Sequence, residues 1–279
     1  MALNENSQDD YPPSPTSRPG IGQKIKKALG PVGVAFVALF AKFKFAFLAA
    51  IKYFPLLLKT GGTMILSVGL YAMTWGIWFA IGFVLLLFVH ECGHLLAAKR
   101  FGLKVGAPVF IPFLGALIAL KESPRNAWIE SVVGIGGPLL GSAGAVLCEV
   151  LYIATGNLMF RSLAYTGFFL NLFNLMPVGF LDGGRIVTAL SPWLWVVGFA
   201  VLVFLTMTRF NFILLLILLA SLPRLFSLFR PKSDVERRYF EVTPEQRLLM
   251  GGLYFGLIVA LVLGMRLTHI PRELLGGRQ

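Results

Sequence analysis

FVLLLFVHECGHLLAAKR, residues 83–100, reads as lipid-facing helix except that its middle carries two histidines and a glutamate. Ionisable groups at membrane depth are costly and are most often retained for function. The reading of this stretch therefore sets both the fold class and the chemistry to look for. His90 and His94 are four residues apart, about 40° around a helix and one turn along it, so both imidazoles project from one face and can share a metal ion. Glu91 sits about 100° from His90 on the same turn, beside the metal face, where it can reach a zinc-bound water. Cys92, about 200° from His90, points away, and Gly93 leaves room for a neighbouring backbone.

The rest of the chain agrees with a membrane setting. Its 279 residues are 57% hydrophobic, with a mean hydropathy of +0.77, values that soluble domains rarely approach. The net charge of +12 comes from Lys and Arg gathered between and beside apolar runs, a topology signal and an attraction to anionic headgroups. No motif or basic face supports nucleic-acid binding. Cys92 and Cys148 lie in separate apolar segments without C-x-x-C spacing and read as small apolar filler. Residues 1–20 are polar and proline-rich, unlike a cleaved secretory signal.

About twenty apolar residues cross a bilayer as helix. On that measure residues 1–30 are expected to be a disordered cytoplasmic tail, and residues 31–60 an in-plane or poorly spanning apolar helix, because Lys42, Lys44 and Lys52 fall on different sides of it. Residues 61–190 form the expected catalytic core, and residues 191–279 further transmembrane helices and a C-terminal tail. Within the core, a break at Trp75 and Gly76 is predicted, followed by a full span from Ile77 to Lys99. Prolines and glycines at short intervals make 101–122 a β-hairpin or re-entrant loop, tolerated at depth where protein or a water-lined cavity satisfies its backbone. Further helices are predicted at 127–154, 162–177, 192–208, 211–229 and 247–266. The fold class is thus an all-α polytopic bundle with one hairpin or re-entrant loop near the site. No period of 20 to 50 residues repeats.

Basic residues orient the bundle, since cytoplasmic loops collect Lys and Arg. Lys99, Arg100, Lys104, Lys121 and Arg125 mark one cytoplasmic loop, and Arg224, Arg230, Lys232, Arg237, Arg238 and Arg247 another. Arg266, Arg272 and Arg278 do not fit strict alternation and leave the side of the C-terminus open.

A catalytic zinc site usually has three protein ligands and one position for water. The acids to consider after Glu91 are Glu130, Glu149 and Asp182. Glu130 stands near a helix start, where an acid meets the dipole favourably, and Glu149 falls toward the far end of the same helix. Asp182 lies in NLMPVGFLDGGR, on the side to which the His90 helix also descends, among Pro177, Gly179, Gly183 and Gly184, which break helix and let backbone pack closely. An ordinary Asp-Gly turn has the same composition. His269, the third histidine, sits in a polar tail and reads as solvated. Gly134, Gly137, Gly141 and Gly144 share one helix face suited to close packing.

HECGH at 90–94, followed by Asn174, Pro177, Asp182 and Gly183 in an N-x-x-P-x-x-x-x-D-G arrangement, with the small-residue helix carrying GGPLLG at 136–141 between the two motifs, resembles the site-2 proteases, intramembrane zinc metallopeptidases. The resemblance covers roughly residues 60–190. It implies His90, His94 and Asp182 as Zn2+ ligands, Glu91 as general base and acid, and Asn174 as a polar residue near a transmembrane protein substrate in the lipid bilayer. The apolar spans predict a multi-pass protein, and the basic loops put the expected active site toward the cytoplasmic side. Many members carry a PDZ or CBS module, and no soluble stretch here is long enough for either. The alternative class is a metal-ion transporter using the same His/His/Asp cluster, which should spread polar residues along several helices rather than gather them at one depth. An inactive scaffold would have no use for Glu91.

Overall fold

The computed structural model describes residues 60–270 apart from 113, 114, 119, 209 and 210; the expected tail at 1–30, all but the last residue of 31–60, and the end of the C-terminal tail lie outside the described residues. Helix α1 (Thr60–Trp75) ends at Gly76, which has φ +82°. That conformation favours glycine, and it separates α1 from α2 (Ile77–Arg100) where the break was expected. Tyr71, Trp75, Phe79 and Phe83 close the corner, with ring centroids 5.0 to 6.3 Å apart. Gly102, also left-handed, stops α2, and the Leu103 amide reaches back 3.1 Å to the Ala98 carbonyl.

The segment after α2 is the expected hairpin, reduced to two three-residue strands, β1 (Val109–Ile111) and β2 (Gly115–Leu117), paired antiparallel with Phe110 opposite Ala116. A further bridge joins Val105 to Leu120. The outer edge of β1 is closed by α1: the Phe110 amide donates to Thr63 Oγ1 at 3.1 Å, and Thr60 Oγ1 donates to the Pro108 carbonyl at 2.6 Å. Phe110 therefore faces away from the ladder, and its partner Ala116 turns its amide and carbonyl to the free edge of β2.

Helix α3 (Ala127–Thr155) begins at Asn126, whose side chain accepts the Ile129 amide at 2.9 Å, and ends at left-handed Gly156. Helix α4 spans Leu158–Asn174, α6 spans Leu194–Thr208, α7 spans Phe212–Phe226 with a 3-10 turn to Phe229, and α9 spans Pro244–Thr268; between α4 and α6 lies α5 (Asp182–Leu190), and before α9 lies α8 (Asp234–Tyr239). Among the described residues, Ile77–Arg100, Ala127–Thr155, Phe212–Phe229 and Pro244–Thr268 are long and apolar enough to cross a membrane.

Two expectations are corrected here. The helix expected at 162–177 runs from Leu158 to Asn174, because the Asn157 side chain caps its start and Pro177 lies in the turn beyond its end. The stretch around Gly183 and Gly184, read as helix-breaking, opens a helix instead. A side chain at Gly183 would collide with the Leu175 carbonyl, and one at Gly184 with the Val178 and Gly179 carbonyls. Close tertiary approach, not local propensity, accounts for these glycines.

Candidate metal centre

Helix α2 brings His90 and His94 onto one buried face, as their spacing requires, with ring centroids 4.9 Å apart. The turn after α4 brings Asp182 to the same point. Its Oδ2 lies 3.0 Å from His90 Nε2 and its Oδ1 3.2 Å from His94 Nε2, while the two Nε2 atoms are 3.1 Å apart. Three electron-pair donors from two distant segments therefore converge inside an apolar bundle.

Second partners of the imidazoles decide their tautomers. His90 Nδ1 lies 2.8 Å from Asn171 Oδ1, and the Asn171 amide is oriented by its own donation from Nδ2 to the Gly167 carbonyl at 2.7 Å. Oδ1 is then an acceptor, so His90 Nδ1 carries the proton and donates. His94 Nδ1 lies 2.7 Å from the Val133 carbonyl, again only an acceptor. In the neutral rings both Nε2 lone pairs are thus left facing each other and a carboxylate, an arrangement that calls for a cation.

The donor set fits zinc. A tetrahedral ion with ligands at about 2.0–2.1 Å spaces its donors roughly 3.4 Å apart; the two Nε2 atoms, and the contact each makes with one oxygen of the Asp182 carboxylate, fall a few tenths of an ångström short of that. Two imidazole nitrogens and one carboxylate suit its borderline character. Glu91 stands differently. It is buried, and a carboxylate oxygen lies within 4.8 Å of the imidazole nitrogens, yet it makes no hydrogen bond to another described residue. Its carboxylate is thus within reach of the donors, directly or through one water.

One face of α3 forms the wall. A Cβ at Gly137 would strike the His94 imidazole, one at Gly141 the Asn171 amide, and one at Gly134 would crowd the α5 residues Arg185 and Ile186 and the Asp182 carbonyl. At Gly136 and Gly93 the backbones of α3 and α2 themselves meet. Gly144 alone of the row faces only aliphatic side chains, those of Leu86 and Val89. Two grooves of about 390 and 590 Å³ lie along α9 and share no residue with the cluster.

The other candidates fall elsewhere. Asn174 is the last residue of α4, half-buried and without a hydrogen bond to another described residue. Asn171, one turn earlier and overlooked in the sequence, is the residue that touches His90. Glu130 pairs with Arg224 at 2.8 Å and accepts from Tyr239 at 2.8 Å. Burial first, and the Glu130 carboxylate second, push the Tyr239 phenol above its ordinary pKa. Glu149 has a buried carboxylate oxygen without a hydrogen-bond partner among the described residues.

Residues 78–157 match the model of Peptidase family M50. That span holds His90, Glu91, His94 and the glycine row and stops short of Asp182. Zinc metalloprotease MJ0392 of Methanocaldococcus jannaschii is 34% identical over 135 residues, which cover 46% of this chain and 39% of that protein. The probable chloroplastic zinc metalloproteases EGY2 of Oryza sativa subsp. indica and Arabidopsis thaliana are each 28% identical, over 159 and 153 residues, covering 41% and 39% of this chain and 29% and 27% of theirs. The alignments thus span less than two fifths of the relatives' lengths. The HECGH helix thus lies inside the span that is similar to Peptidase family M50 and to these zinc metalloproteases.

Proposed function

We propose that this chain is a zinc-dependent endopeptidase that hydrolyses peptide bonds in or near transmembrane segments of membrane-protein substrates. The observation that carries the reading is the convergence of the His90 and His94 Nε2 atoms and the Asp182 carboxylate beside Glu91, which makes no hydrogen bond to another described residue, all buried among apolar helices. The relatives' names supply the metal and the reaction class. The Lys- and Arg-rich loops that flank the site support an orientation toward the cytoplasmic face. Metal transport is not favoured, since the matched family and relatives are peptidases.

On this reading His90, His94 and Asp182 hold the ion. Zinc, when held there, supplies a Lewis acid that polarises a carbonyl and lowers the pKa of water to about 7. Glu91 accepts the water proton at its carboxylate during attack on the scissile carbonyl and returns it to the leaving amine. Asn171 and the Val133 carbonyl keep the imidazoles in the tautomer that leaves Nε2 free. Asn174, at the end of α4, is the proposed contact for the substrate backbone.

A helical substrate must unwind before its carbonyl is reachable, and exposing the freed groups to lipid costs several kcal/mol each. The outward amide and carbonyl of Ala116 on β2 offer such a strand a partner. Ala116→Pro removes that donor without touching the hairpin's own ladder, and cleavage of a transmembrane substrate in liposomes should fall about tenfold, the equivalent of one lost hydrogen bond of about 1.4 kcal/mol; undiminished cleavage would argue against strand addition. The central test is Glu91→Gln. Cleavage should drop by 10²-fold or more, roughly the contribution of a general base, while zinc measured by atomic emission stays near one per chain. A variant that cleaves normally removes Glu91 from the chemistry, and wild-type protein that holds no zinc removes the whole reading.

A further inference from the structure

Asp182 is the first residue of the short helix α5 rather than part of a spanning helix. What holds that helix start and the turn before it still is a cluster that, apart from Glu130, lies beyond the M50-matched residues. We propose that Arg224 is a positioning residue for the metal centre: its guanidinium ties α3, which orients His94, to the α5 segment, which carries Asp182. This inference rests on the metal reading given above.

Arg224 lies near the end of α7. Its Nη2 donates to Glu130 Oε1 of α3 at 2.8 Å and to Thr188 Oγ1 of α5 at 3.0 Å, and its Nη1 reaches the Gly179 carbonyl of the turn at 3.3 Å. The guanidinium carbon sits 4.6 Å from the centre of the Trp195 ring, and Trp195 Nε1 donates to the Gly184 carbonyl at 2.8 Å. Thr188 Oγ1 donates to the same Gly184 carbonyl at 3.1 Å. Glu130 is in turn held by the Tyr239 hydroxyl. Every partner is one short step from a donor of the triangle. Gly179 and Gly184 flank Asp182 in the chain, and Glu130 stands one helical turn before Val133, whose carbonyl receives the His94 proton.

The pair is mostly shielded, with side-chain exposures of 27% for Arg224 and 12% for Glu130. A planar fork that satisfies a carboxylate, a hydroxyl and a carbonyl while stacking on an indole uses features that lysine lacks. The alternative role is plain stabilisation of the bundle. The two differ in what they predict for the metal.

The test uses the full chain in nanodiscs. Zinc affinity is measured by chelator competition for the wild type, Arg224→Lys, Arg224→Gln and Glu130→Gln, with Leu163→Ala as a control. Leu163 is buried in the cluster against α1 and α2 and has no part in the clamp. Arg224→Gln and Glu130→Gln should weaken zinc binding about 10–100-fold, the usual loss for an outer-shell partner, with Arg224→Lys between them and the wild type. Leu163→Ala should lower the melting temperature yet keep zinc affinity within about twofold. In the metal-free chains, amide hydrogen exchange at residues 178–186 should rise in Arg224→Gln and not in Leu163→Ala. Wild-type affinity in Arg224→Gln, a loss matched by the control, or unchanged exchange would each overturn the proposal. Wild-type protein that binds no zinc would defeat the metal reading instead, and the exchange measurement would still decide whether Arg224 holds the turn.

Discussion

Asn171 shows how much of a metal site lies outside its ligand list. Its Oδ1 fixes the proton of His90 on Nδ1, and its Nδ2 is spent on its own helix. Asn171→Ala should therefore weaken zinc binding by about 10–100-fold and leave the helices in place, as chelator competition and circular dichroism would register. Asn171→Asp is the informative companion, because a carboxylate still accepts from Nδ1 and should recover most of the affinity. This residue was not legible in the sequence. Asn171 and Asn174 are one turn apart on the same helix, about 300° around its axis, and which of them faces His90 depends on how α4 is rotated against α2. The HECGH spacing needed no such information: residues four apart share a face in any helix, so His90, Glu91 and His94 could be read directly. Asp182 lay between these cases, since its motif was visible while its distance from the imidazoles, 92 residues along the chain from His90, depends on the fold.

At the scale of elements, α2 and α3 meet backbone to backbone. Gly136→Ala would drive a methyl group against the Gly93 carbonyl and the Ala97 side chain, and overpacking of this kind costs about 1–3 kcal/mol. Gly137→Ala aims the same intrusion at the His94 ring and should lose zinc as well as stability. Gly252→Ala on α9 is the contrast: nothing lies within 4 Å of the added carbon, so stability should change by no more than about 1 kcal/mol. Thermal denaturation in detergent with zinc analysis separates the three. The break at Gly76 and the span after it were legible because turn chemistry and hydropathy are local signals. The helix that begins at Asp182 was not, because glycine normally argues against helix and only the crowding by the Leu175, Val178 and Gly179 carbonyls reverses that argument. The small helix α8 was passed over for a related reason; it has a capping box from Ser233 to Glu236 but only six residues, too short to show a periodic face.

For the molecule as a whole, the bundle does not depend on the ion for its fold. Apolar helices in a membrane keep their backbone hydrogen bonds whatever happens at one site. Treatment with a zinc chelator should leave helical circular dichroism unchanged, lower the melting temperature by the binding linkage alone, and abolish cleavage. Loss of helix on chelation would mean the metal is structural.

The position of Glu91 within α2 has a further implication for products. Glu91 lies 14 residues after Ile77 and 9 before Arg100 in a helix of 24 residues, which places it about 21 Å from one end and about 14 Å from the other. If the chain cuts transmembrane segments as proposed, scission at that level would divide a bilayer-spanning helix unequally, into a remnant of roughly 14 residues and one of roughly 9, each below the roughly 20 needed to stay threaded through hydrocarbon. Neither half would then keep a segment long enough to span the bilayer.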